Sequence, residues 1–133
     1  MTACGPAAET APETVQIETV TPAWQAAHMD PAQAEAYISG SEGVTVLDIR
    51  TPAEFEQGHI TGATLIDFKS SDFADNISKL DKDAAYVVHC ASGGRSTKSL
   101  EIFKAQGFTN ITHMDGGIKG WQAAGLALTT SEQ

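Results

Sequence analysis

The chain has 133 residues, with 17 Asp and Glu against 8 Lys and Arg, a formal net charge of −9. That length implies one domain, since domains usually run to roughly 100–200 residues. The acidity argues against general nucleic-acid binding, which depends on Lys and Arg neutralising phosphates. No apolar run approaches the roughly 18–20 residues of a membrane helix. The charge is uneven: residues 1–83 carry a net of −10 and residues 84–133 a net of +1. An anionic substrate would be tolerated in the C-terminal part.

In chain order, residues 1–22 read as a flexible tether. The stretch from Gly5 to Thr14 is built of Pro, Ala, Thr and Glu with no periodic apolar face. It cannot bury enough surface to offset its ordering entropy. The folded domain is expected over residues 23–129, with 130–133 as a tail.

Within the tether, Thr2-Ala3-Cys4-Gly5 resembles the end of a bacterial lipobox, although the upstream Leu and apolar segment are absent and Met1 stands in the Leu position. The resemblance implies a membrane tether through a lipidated Cys4 and a periplasmic or otherwise extracytoplasmic, lipid-anchored location. A flexible chain of about twenty residues reaches several tens of ångströms, so the domain would range over the membrane surface. The alternative is a stray cysteine in the tail of a cytoplasmic protein.

Helix and strand signals then alternate. Asp30-Pro31 is an N-cap followed by Pro at the first helical position, and Ala34, Tyr37 and Ile38 form one apolar face that Gly40 and Gly43 close. Residues 44–49 are a β-branched run that reads as a buried strand. Thr51, Pro52 and Glu54 make a capping box for a short helix ending near Gly58. A short strand is expected over 63–66 and a short helix over 71–79, around Phe73 and Ile77. Residues 85–89 are a second apolar strand, and 97–106 a helix with Leu100 and Phe103 on one face and Gly107 as its stop. A strand over 110–113 and a helix over 118–124 complete the pattern. Such alternation predicts an α/β fold with a mainly parallel sheet flanked by helices.

The chemistry concentrates where the strand 85–89 runs into Cys90-Ala91-Ser92-Gly93-Gly94-Arg95-Ser96 and then into a helix. Sites in open α/β sheets lie at the carboxyl ends of strands. Gly93 and Gly94 let successive backbone N–H groups turn inward as an anion nest. The helix dipole and the charges of Arg95 and Lys98 add to it. All of these favour Cys90 as thiolate. A thiolate is a nucleophile, and the same amides would hold a negatively charged product on its sulfur. The competing reading makes Cys90 a buried strand-end residue beside an ordinary turn. With only Cys4 besides Cys90, a disulfide framework is excluded, and no CxxC or HxxxH suggests a metal. Neither a metal nor an organic cofactor is expected.

Three stretches together resemble the rhodanese-like domains. They are Leu47-Asp48-Ile49-Arg50 with Glu54-Phe55 and Gly58 to Ala63; the loop Cys90 to Ser96; and Gly116-Gly117-Ile118-Lys119-Gly120-Trp121 with Gly125. The resemblance spans about residues 22–128 and departs at Ala127, where the family often has Pro. It implies a sulfurtransferase. A small anionic donor such as thiosulfate would give sulfane sulfur to Cys90, and cyanide, a thiol or a protein cysteine would accept it. Backbone amides of Ala91, Ser92, Gly93, Gly94, Arg95 and Ser96 would cradle the outer sulfur. Arg95 would brace the loop and add charge, Lys98 would attract the donor, and Ser96 would hydrogen-bond the cysteine or cap the helix.

The alternatives are a phosphatase or arsenate reductase of the same superfamily, and a sulfur-carrier or binding module without turnover. The phosphatases use a loop one residue longer, whereas four residues separate Cys90 from Arg95 here. Asp48 and Arg50 are expected to pair, and His59 to bind loop backbone. His89 should point away from the sulfur, because successive strand residues face opposite sides. His28 and His113 give no signal, and Trp24 and Trp121 read as packing.

Overall fold

The computed structural model describes residues 26–130. The N-terminal tether, Cys4 and the last three residues lie outside them. Ten elements follow in order: β1 (Ala27–Met29), α1 (Pro31–Gly40), β2 (Val44–Asp48), α2 (Pro52–Gln57), β3 (Thr64–Leu65), α3 (Phe73–Ser78), β4 (Ala85–His89), α4 (Gly94–Ala105), β5 (Ile111–Met114) and α5 (Gly117–Ala123). Every strand pairing is parallel, and the sheet order is β1-β5-β4-β2-β3.

Local chemistry sets the first two helix starts. At α1 the Asp30 carboxylate accepts from the Gln33 amide at 2.8 Å, and the Gln33 side chain accepts from the Asp30 amide at 3.0 Å. Thr51 and Glu54 make the same reciprocal cap at α2. In each, Pro occupies the first turn, where its missing N–H costs nothing.

The strand β1 has no sequence signal: three residues, mostly exposed, without a β-branched run. It exists because β5 offers a free edge, and the register sets His28 beside His113. From β2 the chain steps outward to β3, then returns to β2's other side as β4 and continues outward to β5. The direction of winding therefore reverses between β2 and β4, and crevices for ligands form at such reversals.

Period-two alternation sends side chains to two cores. Leu47, Ile49, Tyr86, Val88, Cys90 and Ile111 face α3 and α4 with Phe73, Phe103 and Phe108. Val46, Val87 and Met114 face the other way, with Ala34, Phe55, Ile118 and Trp121 of α1, α2 and α5. In the first core, Phe103 meets Phe73 and Phe108 edge to face with ring centres 6.1 and 5.0 Å apart. Truncating such a buried ring costs roughly 3–5 kcal/mol. An isolated antiparallel bridge ties His59 to Thr129 and fastens the end of the domain. The Trp121 indole donates to the Ala127 carbonyl at 2.8 Å, at the position where the family often has Pro. Among the described residues, no helix is long and apolar enough to cross a membrane.

Candidate active site

Cys90 leaves the carboxyl end of β4, a strand paired on both sides, and its side chain is buried. The helix α4 begins at Gly94, three residues earlier than its apolar pattern suggests. Gly93 makes this early start, because as N-cap it takes φ = 117°, which favours glycine. Ser96 therefore sits in the first helical turn with its N–H free to leave the helix. The sulfur collects three contacts: the Gly93 amide at 3.1 Å, the Ser96 amide at 3.4 Å and the Ser96 hydroxyl at 3.4 Å. Burial by itself pushes the Cys90 thiol up. Hydrogen bonds from the Ser96 hydroxyl and from the Ser96, Gly93 and Ser92 amides outweigh it, and the net direction is down.

Neither of the expected cations, Arg95 and Lys98, hydrogen-bonds the sulfur. Arg95 makes a two-pronged ion pair with Glu54 of α2, at 2.9 and 3.0 Å, and interacts with Cys90 only through space. The pair ties the start of α4 to α2, and Glu54 balances the charge of Arg95. Arg95 in turn holds the Glu54 carboxyl at about 2. Lys98 is exposed one turn into α4 and makes no hydrogen bond or ion pair among the described residues. Ala91 and Gly93 are half-buried, while Ser92 and Gly94 are exposed, so the outer face of the loop is open to solvent.

Behind the loop lies a second polar group, on the opposite face of the sheet. Arg50 clasps the buried Asp48 carboxylate through Nε and a terminal nitrogen and donates to the Gly58 carbonyl at 2.7 Å. His59 stacks on Phe55 and bonds the Phe55 carbonyl at 2.8 Å through Nδ1. His89 bonds the Cys90 carbonyl through Nδ1 at 3.0 Å, and burial lowers its basicity. Its ring makes no contact with the sulfur. The same carbonyl accepts from the Ile118 amide at 2.9 Å, while the Ala91 carbonyl accepts from Lys119 at 3.0 Å. These bonds press the start of α5 against the loop. The approach requires Gly117, where a Cβ would stand 2.6 Å from both the Cys90 and Ala91 carbonyl oxygens.

The structure adds His113, which the sequence left without a role. His113 is on β5, buried, on the same face as Cys90, and its Nε2 lies 2.7 Å from the Ser96 hydroxyl. Its Nδ1 lies 2.7 Å from Asp115, whose same oxygen also meets His28 at 2.8 Å. Alternation along 111–113 places Ile111 and His113 on one face, and that parity is the signal that could have found it. His28, His113 and Asp115 are all ligand-type side chains, but they already close on one another through hydrogen bonds.

An open, all-parallel α/β sheet with an amide-cradled cysteine at the end of β4 defines a small class of domains. Residues 30–124 match the family described as Rhodanese-like domain. The thiosulfate sulfurtransferase GlpE of Pseudomonas entomophila is 40% identical over 95 residues, covering 71% of this chain and 84% of that protein. The probable adenylyltransferase/sulfurtransferase MoeZ of Mycobacterium tuberculosis is 29% identical over 118 residues, 89% of this chain but 28% of its own length. A rhodanese-related protein from Thermoplasma volcanium superposes with a TM-score of 0.70 at 28% identity, over 79% of this chain and 99% of that one. The chain belongs to the rhodanese-like domain family. Its named relatives support a sulfurtransferase-type enzyme at the level of that family.

Proposed function

We propose that the protein is a thiosulfate-type sulfurtransferase with Cys90 as nucleophile and persulfide carrier. In the first step the Cys90 thiolate attacks the outer sulfur of thiosulfate. The S–S bond of the donor breaks, sulfite leaves with the electron pair, and Cys90–S–S⁻ forms. In the second step cyanide, a thiol or a protein cysteine attacks the terminal sulfur, and the Cys90 thiolate is released. Both steps balance without a metal or a redox cofactor.

The observation that carries this reading is the set of donors on the Cys90 sulfur, which lower its pKa without a cation in contact. In this reading the same amide-lined loop, residues 91–96, also holds the one extra sulfur atom of the persulfide. The pairing of Arg95 with Glu54 favours sulfur over phosphate transfer. Both prongs of the guanidinium are engaged, whereas a phosphate would need them. A cleft of about 260 Å³ beside Ala91, between Glu54 and Lys119, offers room for an acceptor next to the loop.

The test is thiocyanate formation from thiosulfate and cyanide. It should disappear in Cys90→Ser, and mass spectrometry after thiosulfate should find one added sulfur on Cys90. Activity that persists in Cys90→Ser sinks the mechanism. An unmodified Cys90 favours a binding module, and phosphate-ester turnover above sulfur transfer favours the phosphatase reading. For location, we infer a lipid-anchored, extracytoplasmic protein from the residues around Cys4. Palmitate labelling that is lost in Cys4→Ser supports this, and unlabelled, soluble protein from the native gene overturns it.

A further inference from the structure

The two-step transfer written above gives His113 no part, yet the fold buries its ring directly behind the sulfur's hydrogen-bond partner. The contacts fix its protons. Asp115 is half-exposed; desolvation pushes its carboxyl up, but hydrogen bonds from His28 and His113 pull it net down. An ionised carboxylate only accepts, so the His113 Nδ1 carries the hydrogen. In the neutral ring, Nε2 is then a bare lone pair 2.7 Å from the Ser96 hydroxyl. That hydroxyl is drawn to the nearer acceptor, Nε2 at 2.7 Å, so its hydrogen bond to Sγ at 3.4 Å is the weaker of the two. When the ring gains a proton, Nε2–H donates to Ser96, and the Ser96 O–H is released to turn toward the sulfur.

We propose that Ser96, His113 and Asp115 form a proton relay for the Cys90 thiol, with His113 as the positioning residue that sets the direction of the Ser96 hydroxyl. The step balances. The Sγ–H bond breaks and its proton passes to the Ser96 oxygen. The proton of Ser96 passes to His113 Nε2, and the electron pair stays on sulfur. Cys90 thiol and neutral His113 become thiolate and imidazolium, and the Ser96 hydroxyl now donates to the thiolate. The Asp115 carboxylate holds the new cation. His28 shares that carboxylate at the β1 edge, where both side chains are half-exposed and can exchange the proton with water.

The groups facing His113 come from every neighbouring element. They are Ser96 and Thr97 Oγ1, the latter at 3.4 Å, on α4; His28 on β1, with ring centres 5.2 Å apart; Cys90 at the end of β4; and Asp115 beyond β5, while His89, on the opposite face of the sheet, acts only through space. Among the described residues no Lys or Arg is hydrogen-bonded to it. The charges that respond to a proton on His113 are therefore the Cys90 thiolate and Asp115.

The inference rests on Cys90 being the nucleophile, so its test reads the thiolate directly rather than sulfur transfer. The rate of iodoacetamide alkylation at the Cys90 peptide is followed against pH by mass spectrometry, in buffer containing a chelator. In His113→Asn the midpoint should rise by about one pH unit, and alkylation near neutral pH should fall about tenfold. Ser96→Ala should give the same shift, and the double variant no more than either alone. Folded His113→Asn with the wild-type profile overturns the relay. So does a double variant whose shift is the sum of the two. A measurement on the unmutated protein guards against variants that do not fold. Capping Cys90 as its methyl disulfide should move the ¹⁵N resonances of the His113 ring, and unmoved resonances reject the coupling. A shifted alkylation profile in a protein inactive with thiosulfate would keep the relay and discard the sulfurtransferase reading.

Discussion

On the α2 side of the Cys90 loop, Arg95 and Glu54 face each other in an ion pair, and behind them Arg50 clasps Asp48 and the Gly58 carbonyl. On the α4–β5 side the sulfur meets two amides and a hydroxyl, with His113 and Asp115 behind them. The first side is rich in cations, and none of them is a donor to the sulfur. The second side touches the sulfur, and among the described residues no Lys or Arg is hydrogen-bonded to Cys90, Ser96, His113 or Asp115. The contrast assigns separate tasks: paired charges hold the loop in shape, while oriented dipoles stabilise the thiolate. The two amides are fixed by the backbone and need no reorganisation when charge develops, which is the condition for effective electrostatic stabilisation. A balanced ion pair is a good strut and a weak field source, because its two charges cancel at a distance.

The largest expected effect breaks both sides at once. Gly117 lets α5 lie against the carbonyls of Cys90 and Ala91, and its φ of 60° is left-handed. Gly117→Ala adds a Cβ 2.6 Å from backbone oxygens that cannot swing aside. Strain and overpacking together should cost about 3 kcal/mol or more. Urea denaturation reads this as a lower midpoint with an unchanged slope. A wild-type midpoint would mean that the α5 turn yields easily and does not support the loop.

The next effect separates the two sides. In Glu54→Gln the loop loses its strut, and Arg95 is left without its carboxylate. Both side chains are partly exposed, at 34% and 21%, so the stability change should be about 1 kcal/mol or less. Sulfur transfer should fall by about tenfold, because a misplaced loop misaligns the attacking sulfur. The pH profile of Cys90 alkylation should move by much less than a unit, since neither Glu54 nor Arg95 is hydrogen-bonded to the sulfur. A midpoint displaced by a full unit would make the ion pair part of the sulfur's electrostatics. The wild-type protein offers a matching pH test. The Glu54 carboxyl is depressed to about 2 from an ordinary value of 4.5, chiefly by the Arg95 hydrogen bond. Its share of stability is therefore present above pH 4.5 and lost as pH falls toward 2. Exposure and screening keep that share small. Acid titration of Glu54→Gln should lack this component.

On both sides of the loop the sequence shows what is local and hides what is paired over a distance. Capping boxes, β-branched strands and glycine stops act within a few residues, so α1, α2, β2 and β4 stand in the sequence nearly as they stand in the fold. The Cys90 loop is equally local, because Gly93 and Gly94 announce a turn at a strand end. What the sequence does not display depends on pairing between distant segments. The strand β1 is created by the free edge of β5, and the partnership of His28 with His113 follows from that register. Arg95 presents a full charge in the sequence, and only the fold shows that Glu54, 41 residues away, balances it. The early start of α4 is a third case. Apolar periodicity begins at the buried face of a helix, whereas the glycine cap at Gly93 begins the backbone turn before any apolar residue appears.

The smallest expected effect concerns Lys98, the cation left over when the paired ones are set aside. It is exposed, and it has no hydrogen bond or ion pair among the described residues. A solvated ammonium on a flexible stem interacts weakly with a buried thiolate, because water screens it. Lys98→Ala should therefore leave the Cys90 alkylation midpoint in place and change sulfur transfer at about 0.15 M salt by less than about twofold. At low salt the loss should grow, because a surface charge steers an anionic donor over a longer distance when the screening length increases. The salt series on Lys98→Ala and wild type is the measurement. A salt-dependent difference confined to kcat/KM would make Lys98 a guide for the donor. A difference that persists unchanged at high salt would place a cation in the sulfur's own environment and erase the division between the two sides of the loop.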